Sequence, residues 1–255
     1  MRGDADIARV GALVADPARA RVLLALGDGR ALPATVLAGE AGVAASTASA
    51  HLGKLVKGGL LVVERHGRHR YFRLAGPEVS DLIEALARLS PPEPVRSLRQ
   101  GTQAQAVRFA RTCYDHLAGM LGTALMAAML ERELLTGDDG VFEPGTADAD
   151  RLSSTGFDSD YRLTPQGAQQ LREFGIDFEA LPQRRPLIRY CVDWSEQRHH
   201  LAGSLGAALA TRMFELGWLS RARNSRAVHL SDDGREGLKR SFGVELHELG
   251  ELAEP

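Results

Sequence analysis

In the first forty residues, apolar positions recur among polar ones with the three- to four-residue spacing of a helix. The apolar residues of 6–15 lie three or four positions apart, which predicts a first helix. Asp16-Pro17 predicts a second start, because aspartate caps helices and proline is favoured at the first helical position. That second helix is expected to stop at the GDG segment that follows it. A third helix is predicted at about residues 33–40.

Residues 44–57 predict a further helix with two different faces. One face carries the hydroxylated residues Ser46, Thr47 and Ser49, and the other carries Leu52, Leu55 and Val56. Small side chains at a helix N-terminus let the backbone approach a ligand, and the helix dipole there favours a phosphate. Gly58-Gly59 ends this helix, and residues 60–74 read as a hairpin with a basic tip near Gly67-Arg68. A helix sized for the major groove, followed by a cationic hairpin, predicts a winged helix-turn-helix.

The segments DPARARVLLAL and VAASTASAHLGKLVKGGLLVVERHGRHRYFRL together resemble the ArsR/SmtB-type transcriptional regulators. The resemblance covers roughly residues 7–89. It implies a cytoplasmic homodimer that represses transcription and releases a palindromic operator when an effector binds. It also implies a dimer interface made by the first helix and the helix after the wing, EVSDLIEALARL. The expected DNA-binding residues are Ser46, Thr47, Ser49, His51, Lys54, Arg65, Arg68, His69 and Arg70.

The chain departs from this family where its metal-sensing members bind their ions. The segment LPATVLAGEAGV, before the recognition helix, contains no cysteine. The helix after the wing offers Glu78, Asp81 and Glu84 but no histidine. We therefore expect any effector site to lie in the remainder of the chain.

A proline-rich stretch, SPPEPVRSLRQG, interrupts the helical pattern after residue 89, and an internal repeat follows it. Residues 111–125 match residues 189–193 together with 200–209, with six residues inserted in the second copy. Each copy continues as an apolar helix and a short strand that runs into a Thr or Ser cap, with capped helices at about 165–174 and 232–242. The glycine pairs Gly119/Gly122 and Gly203/Gly206 suggest close helix–helix packing with pseudo-two-fold symmetry.

We therefore expect a mainly α-helical chain with short β hairpins. A winged helix-turn-helix domain would occupy residues 1–90 and a linker residues 91–101. A helical C-terminal domain would consist of two repeated helix–hairpin–helix modules, residues 102–180 and 181–255.

Both cysteines of the chain occupy equivalent points of the repeat, each followed by an aspartate and a histidine. If the first copy is helical there, Cys113 and His116 share one face. Thiolates, imidazoles and carboxylates bind zinc and similar ions, so the two copies could converge on one four-coordinate site or each form its own. The candidate effector or metal ligands are Cys113, Asp115, His116, Cys191, Asp193, His199 and His200.

Other interpretations of the cysteines remain open. Arg111 and Arg189 would repel a cation and lower the thiol pKa, which favours a redox or electrophile sensor. The cysteines could also be small buried residues, or the repeats could hold a haem-like or an organic ligand. A cysteine-dependent enzyme fused to a DNA-binding domain is a further alternative, but no nucleophile or phosphate-binding motif supports it, and we expect no catalytic activity.

Charge and composition agree with a DNA-binding regulator. Residues 1–75 hold eleven Lys/Arg against six Asp/Glu, a net charge of +5, whereas the remainder carries −7. This asymmetry suits a nucleic-acid-binding N-terminal part joined to an acidic remainder. Two cysteines in 255 residues favour a reducing compartment, and no apolar run reaches the length of a membrane span. We expect a cytoplasmic protein; a module whose wing binds protein instead of DNA is the remaining alternative.

Overall fold

The computed structural model describes residues 4–67, 69–91, 94–95, 97–142, 161–222 and 225–246. The chain forms two compact units, residues 1–83 and 84–255. The division lies ahead of the predicted linker, because the Glu84 carboxylate pairs with Arg226 and Arg111 of the second unit. Within the described ranges the chain forms ten helices and small antiparallel sheets.

The first unit is a winged helix-turn-helix. Its elements are α1 (Ile7–Val14), α2 (Pro17–Ala25), β1 (Leu32–Pro33), α3 (Ala34–Ala41), α4 (Ala45–Lys57), β2 (Leu61–His66), β3 (His69–Leu74) and the start of α5 (Pro77–Leu89). Asp16 caps α2 through the Arg19 amide and Pro17 occupies the first turn, as predicted. Gly42 adopts φ +67° between α3 and α4, a conformation that glycine reaches without strain.

The wing is a three-stranded antiparallel sheet in the order β1-β3-β2. The sequence predicts the β2–β3 hairpin but not the two-residue strand β1, which pairs Leu32 with Phe72. Behind the sheet and helices lies one apolar core. It is formed mainly by Val22, Leu23, Leu26, Leu37, Leu52, Leu55, Leu61, Phe72 and Leu74.

After the end of α5, the second unit continues with a helix that begins inside the predicted linker. Its elements are α6 (Leu98–Phe109), β4 (Arg111–Cys113), β5 (His116–Ala118), α7 (Gly119–Glu131), β6 (Leu135–Thr136), β7 (Arg162–Leu163), α8 (Pro165–Phe174), β8 (Arg189–Val192), β9 (His199–Ala202), α9 (Gly203–Glu215), β10 (Leu219–Arg221), β11 (Val228–Leu230) and α10 (Asp232–Phe242). Helix α6 starts at Leu98 because Ser97 caps it by accepting a hydrogen bond from the Gln100 amide.

After α6, the second unit contains the series hairpin–helix–hairpin–helix, and this series occurs two times. The hydroxyls of Thr164 and Ser231 accept hydrogen bonds from Gly167 N–H and Gly234 N–H, which confirms the two predicted caps. A hairpin precedes each long helix, an element that the predicted helix–hairpin–helix order lacks. The condition under which Cys113 and His116 would share a helix face is therefore not met, because they lie on β4 and β5.

The sequence suggests that the glycine pairs allow close helix–helix packing. In the structure they instead allow helices to pack closely against hairpins. A Cβ on Gly122 would lie 2.6 Å from the Leu117 carbonyl oxygen of β5, and one on Gly206 would strike the Leu201 carbonyl of β9. Helix α7 also packs on β9, and α9 on β5. Each helix therefore supports its own hairpin and the hairpin of the other half.

Candidate functional site

Helix α4 presents a continuous polar face to solvent. Ser46, Thr47, Ser49 and Lys54 are exposed on it, while Leu52 on the opposite side is buried in the core. Gly53 lies on the same exposed face with open space where a Cβ would be. The surface is therefore shallow at its centre, as a helix that enters a groove requires.

The expected wing residues that the structure describes are exposed, whereas His51 is largely buried. Arg65, His69 and Arg70 lie exposed near the tip of the hairpin, and Arg68 lies outside the described residues. The His51 side chain is only 15% exposed, and its Nδ1 lies 3.7 Å from Asp16 and 3.4 Å from an Arg19 nitrogen. The His51 ring thus lies against the start of α2, and its contact with DNA stays a prediction.

In the second unit, two hairpins bring two cysteines and two histidines together. Cys113 of β4 lies directly opposite His116 of β5, and Cys191 of β8 lies opposite His200 of β9. Strands β5 and β9 pack against each other. As a result, one ligand atom from each of the four side chains lies within 4.8 Å of every other. We call these four residues the Cys/His cluster.

A carboxylate lies behind each histidine of the Cys/His cluster. His116 Nδ1 lies 3.3 Å from Asp115 Oδ1, and His200 Nδ1 lies 3.4 Å from Asp193 Oδ2. Within the described part of the chain, the Nε2 atoms of both histidines have no hydrogen-bond partner, although both side chains are buried. Asp115 thus contacts His116 within hydrogen-bond distance, Asp193 lies close to the His200 ring, and neither is among the four residues whose ligand atoms come together.

Asp193 is the centre of a buried polar network. Its Oδ2 accepts a hydrogen bond from Arg111 Nη2 at 2.9 Å and one from Gly119 N–H at 2.7 Å. Its Oδ1 accepts bonds from the amide and the hydroxyl of Ser195. Although burial opposes ionisation, Arg111 and His200 hold the pKa of Asp193 well below its usual range. Arg111 is therefore neutralised by Asp193 and cannot act as an unpaired charge beside the cysteines.

The pKa values of the two thiols are shifted in opposite directions. A hydrogen bond to Cys191 and burial both raise the pKa of Cys113. The neighbouring Cys113 thiol and His116 imidazole lower the pKa of Cys191 well below its usual value, against the effect of burial. The arginine effect expected from the sequence is outweighed at Cys113, because the bond to Cys191 and burial dominate there.

His199 is separated from the cluster, and two residues beside the site were missed by sequence reasoning. Neighbouring residues of a strand point to opposite faces, so His199 faces away from His200. Its Nδ1 lies 2.6 Å from the Tyr161 hydroxyl. Arg185 donates to both oxygens of Asp115, and with His116 it lowers the pKa of Asp115 to about 2 against the effect of burial. Tyr161 belongs to the repeated stretch before α8 but gave no sign of a contact with His199, and Arg185 lies in no motif.

Comparison with known proteins places the chain in a family. A model described as a helix-turn-helix domain matches residues 14–64. The HTH-type transcriptional regulator YdfF of Bacillus subtilis (strain 168) is 38% identical over 242 residues, which are 94% of this chain and 99% of that protein. The chain belongs to the helix-turn-helix transcriptional regulators. Since the similarity covers 94% of the regulator, it extends through both units.

About a third of the regulator is similar to solved structures. One is the homodimeric winged helix-turn-helix DNA-binding domain of a possible ArsR-family transcriptional regulator from Mycobacterium bovis. It is 34% identical, with 35% of this chain and 88% of that one covered and a TM-score of 0.30. Another is the cadmium metal-sensor CMTR from Mycobacterium tuberculosis, 36% identical, with 36% and 99% covered and a TM-score of 0.27. None of the regulator's helices in the described ranges has the length and hydrophobicity of a membrane span.

Proposed function

We propose that the regulator is a homodimeric repressor that binds a palindromic operator and releases it when the second unit binds an effector. The observation that carries this proposal is the exposed face of α4, on which small hydroxylated side chains precede Lys54. Side chains on this face would contact base edges in the major groove. Arg65, Arg68 and Arg70 of the wing would contact phosphates, which fix the register without reading sequence.

The dimer would be built by α1 and α5. No residue of α1 is buried within one chain, and Ile7 is 78% exposed. Leu86 and Leu89 of α5 are 37% and 85% exposed. Covering these apolar side chains with a second copy of the chain would remove them from water, which favours the dimer. A two-fold dimer presents two copies of α4, so the two half-sites should lie about 10 base pairs apart.

The second unit supports the effector role through its architecture. We propose that the stretches from β4 to α8 and from β8 to α10 are two copies of one module, because their element order and their reciprocal packing are the same. Two similar modules facing each other form a site at their junction, where the Cys/His cluster lies. We propose no catalytic role for its cysteines and a location in the cytoplasm, where the DNA and a reducing environment are both present.

The test is DNA binding by the full chain to the region upstream of its own gene. A footprint with two symmetric halves is expected. If each protomer neutralises about four phosphates, log K should fall with log salt at a slope of roughly −7. Lys54→Ala should weaken operator binding, whereas Arg235→Ala, which removes one exposed charge from α10, should not. Equal binding by the wild type and Lys54→Ala would show that α4 does not enter the groove, and the absence of any footprint would contradict the proposed function.

A further inference from the structure

We propose that Cys113, His116, Cys191 and His200 bind one tetrahedral divalent transition-metal ion, Zn²⁺ or an ion of the same coordination chemistry. Two thiolates and two imidazoles are a common donor set for structural and regulatory zinc. Their ligand atoms lie within 4.8 Å of one another. Donor atoms around tetrahedral zinc are separated by about 3.3–3.8 Å, given bonds of about 2.0–2.3 Å. The four side chains therefore need only small rotations to close on one ion.

The histidine nitrogens supply independent evidence for a ligand. A buried nitrogen that lacks a hydrogen-bond partner is rare in folded proteins and calls for an explanation. His116 is 4% exposed and His200 is fully buried, yet the Nε2 atoms of both lack such a partner among the described residues. The Nδ1 atoms face Asp115 and Asp193. A carboxylate behind a histidine fixes the tautomer that leaves Nε2 free to bind a metal, as in carboxylate–histidine–zinc arrangements.

The charges around the cluster allow a cation to enter. Two thiolates compensate a divalent ion, and both nearby guanidinium groups are already paired. Arg111 is bound to Asp193 and also lies 3.7 Å from Glu84, and Arg185 is bound to Asp115. Ionisation of the cysteines would release protons when the metal binds. Arg111, which on sequence grounds would oppose a metal, instead holds the Asp193 carboxylate in place.

The spacing favours a single ion over larger cofactors. A two-iron cluster with the same residues places the cysteines on one iron and the histidines on the other, which requires wider separation between the two ligand pairs. A haem needs its protein ligands on opposite faces of a flat macrocycle. In this structure all four ligand atoms lie within 4.8 Å of one another.

The ion would join the two halves of the second unit. Each hairpin contributes one cysteine and one histidine, so metal binding fixes β4–β5 relative to β8–β9. Gly122 of α7 lies beside His200, and Gly206 of α9 lies beside His116. Because each helix also packs on its own hairpin, movement of either hairpin changes the contacts of both helices. Metal binding does not depend on the DNA-binding role, but the claim that the metal is the effector rests on the proposed function.

The first experiment measures metal binding by the tag-free full chain. Zn²⁺ content after dialysis and titration with Co²⁺ should both give one equivalent per chain, with the visible bands of tetrahedral, thiolate-bound cobalt. Cys191→Ser and His200→Gln should lose affinity by more than about 100-fold, the upper range for removal of an outer hydrogen bond. His199→Gln is the matched control, because this neighbour faces Tyr161 and should retain the ion. Circular dichroism confirms that each variant is folded.

Several results would overturn the site. The proposed site would be wrong if the folded wild type bound neither Zn²⁺ nor Co²⁺, or if the cobalt spectrum were octahedral. It would also be wrong if His199→Gln lost as much metal affinity as Cys191→Ser and His200→Gln. Stoichiometric iron with acid-labile sulfide would also overturn the single-ion assignment.

The second experiment tests the effector role by operator binding with Zn²⁺ and with chelator. The expected change in Kd is about 5- to 150-fold, abolished in Cys191→Ser. An unchanged Kd with the metal bound would refute metal sensing and leave both the site and DNA binding intact. A protein that binds metal but no DNA in either state would refute the proposed function alone.

Discussion

Gly122 provides a direct test of how α7 supports the hairpins. A Cβ at this position would lie 2.6 Å from the Leu117 carbonyl oxygen and 2.8 Å from its carbonyl carbon. Gly122→Ala therefore forces β5 and α7 apart, and overpacking of this kind costs roughly 1–3 kcal/mol. The Leu117 carbonyl belongs to the backbone and cannot rotate away as a flexible side chain could. We therefore expect a destabilisation at the upper end of this range, about 3 kcal/mol. Alanine recovers about 1 kcal/mol of helix propensity. The net loss in the free energy of unfolding should be about 2 kcal/mol.

The two tryptophans, Trp194 and Trp218, both lie in the second unit, so urea unfolding followed by tryptophan fluorescence reports on this unit. The corresponding fall in Tm is roughly 4–8 °C for a domain of this size. Gly101→Ala in α6 is the matched control, because its Cβ would make only an ordinary contact with Val95 at 3.5 Å. It should be neutral or stabilising by up to about 1 kcal/mol. If Gly122→Ala proved as stable as the wild type, the hairpin would not press on α7 as described and our reasoning would be wrong.

Two further predictions concern the site and the helix caps. Asp115→Asn should lower the affinity for Zn²⁺ by about 10- to 100-fold, because the carboxylate behind His116 orients the ring; competition with a chromophoric chelator measures this. An unchanged affinity relative to the exposed Glu236→Gln control would remove Asp115 from the site. Thr164→Ala and Ser231→Ala should each cost about 1 kcal/mol in urea unfolding, since each hydroxyl accepts a bond from a helix amide. A loss below about 0.3 kcal/mol in both would contradict the cap assignment.

The elements that follow from local physics could be predicted from the sequence. Asp16-Pro17 marks the start of α2 because a side-chain cap and a fixed φ act within one turn. Thr164 and Ser231 mark α8 and α10 for the same reason. The alternating wing strands were also predicted. What these features share is that every interacting group lies within a few residues along the chain.

The conformation around Cys113 could not be predicted in this way. Strands β4 and β5 have three residues each, too few for a periodic pattern, and Tyr114 turns the chain with φ +59°. Sequence reasoning expects glycine or asparagine in that conformation, so a tyrosine gives no turn signal. The surroundings of His51 could not be predicted for a related reason, because its neighbour Asp16 lies 35 residues earlier in the chain.

The internal repeat was the one long-range signal in the sequence, and its physical meaning lies in the hairpin register. In each half the cysteine pairs with the histidine across two strands, although the spacing is three residues in one half and nine in the other. Of the six extra residues, five (194–198) extend the loop after Asp193 and His199 lengthens β9, and the pairing of cysteine with histidine is unchanged. Spacing along the chain is therefore a poor guide to this site, because cross-strand register sets the geometry of the ligands. A four-residue cluster formed in this way requires both halves, so neither hairpin alone could hold the ion that we propose.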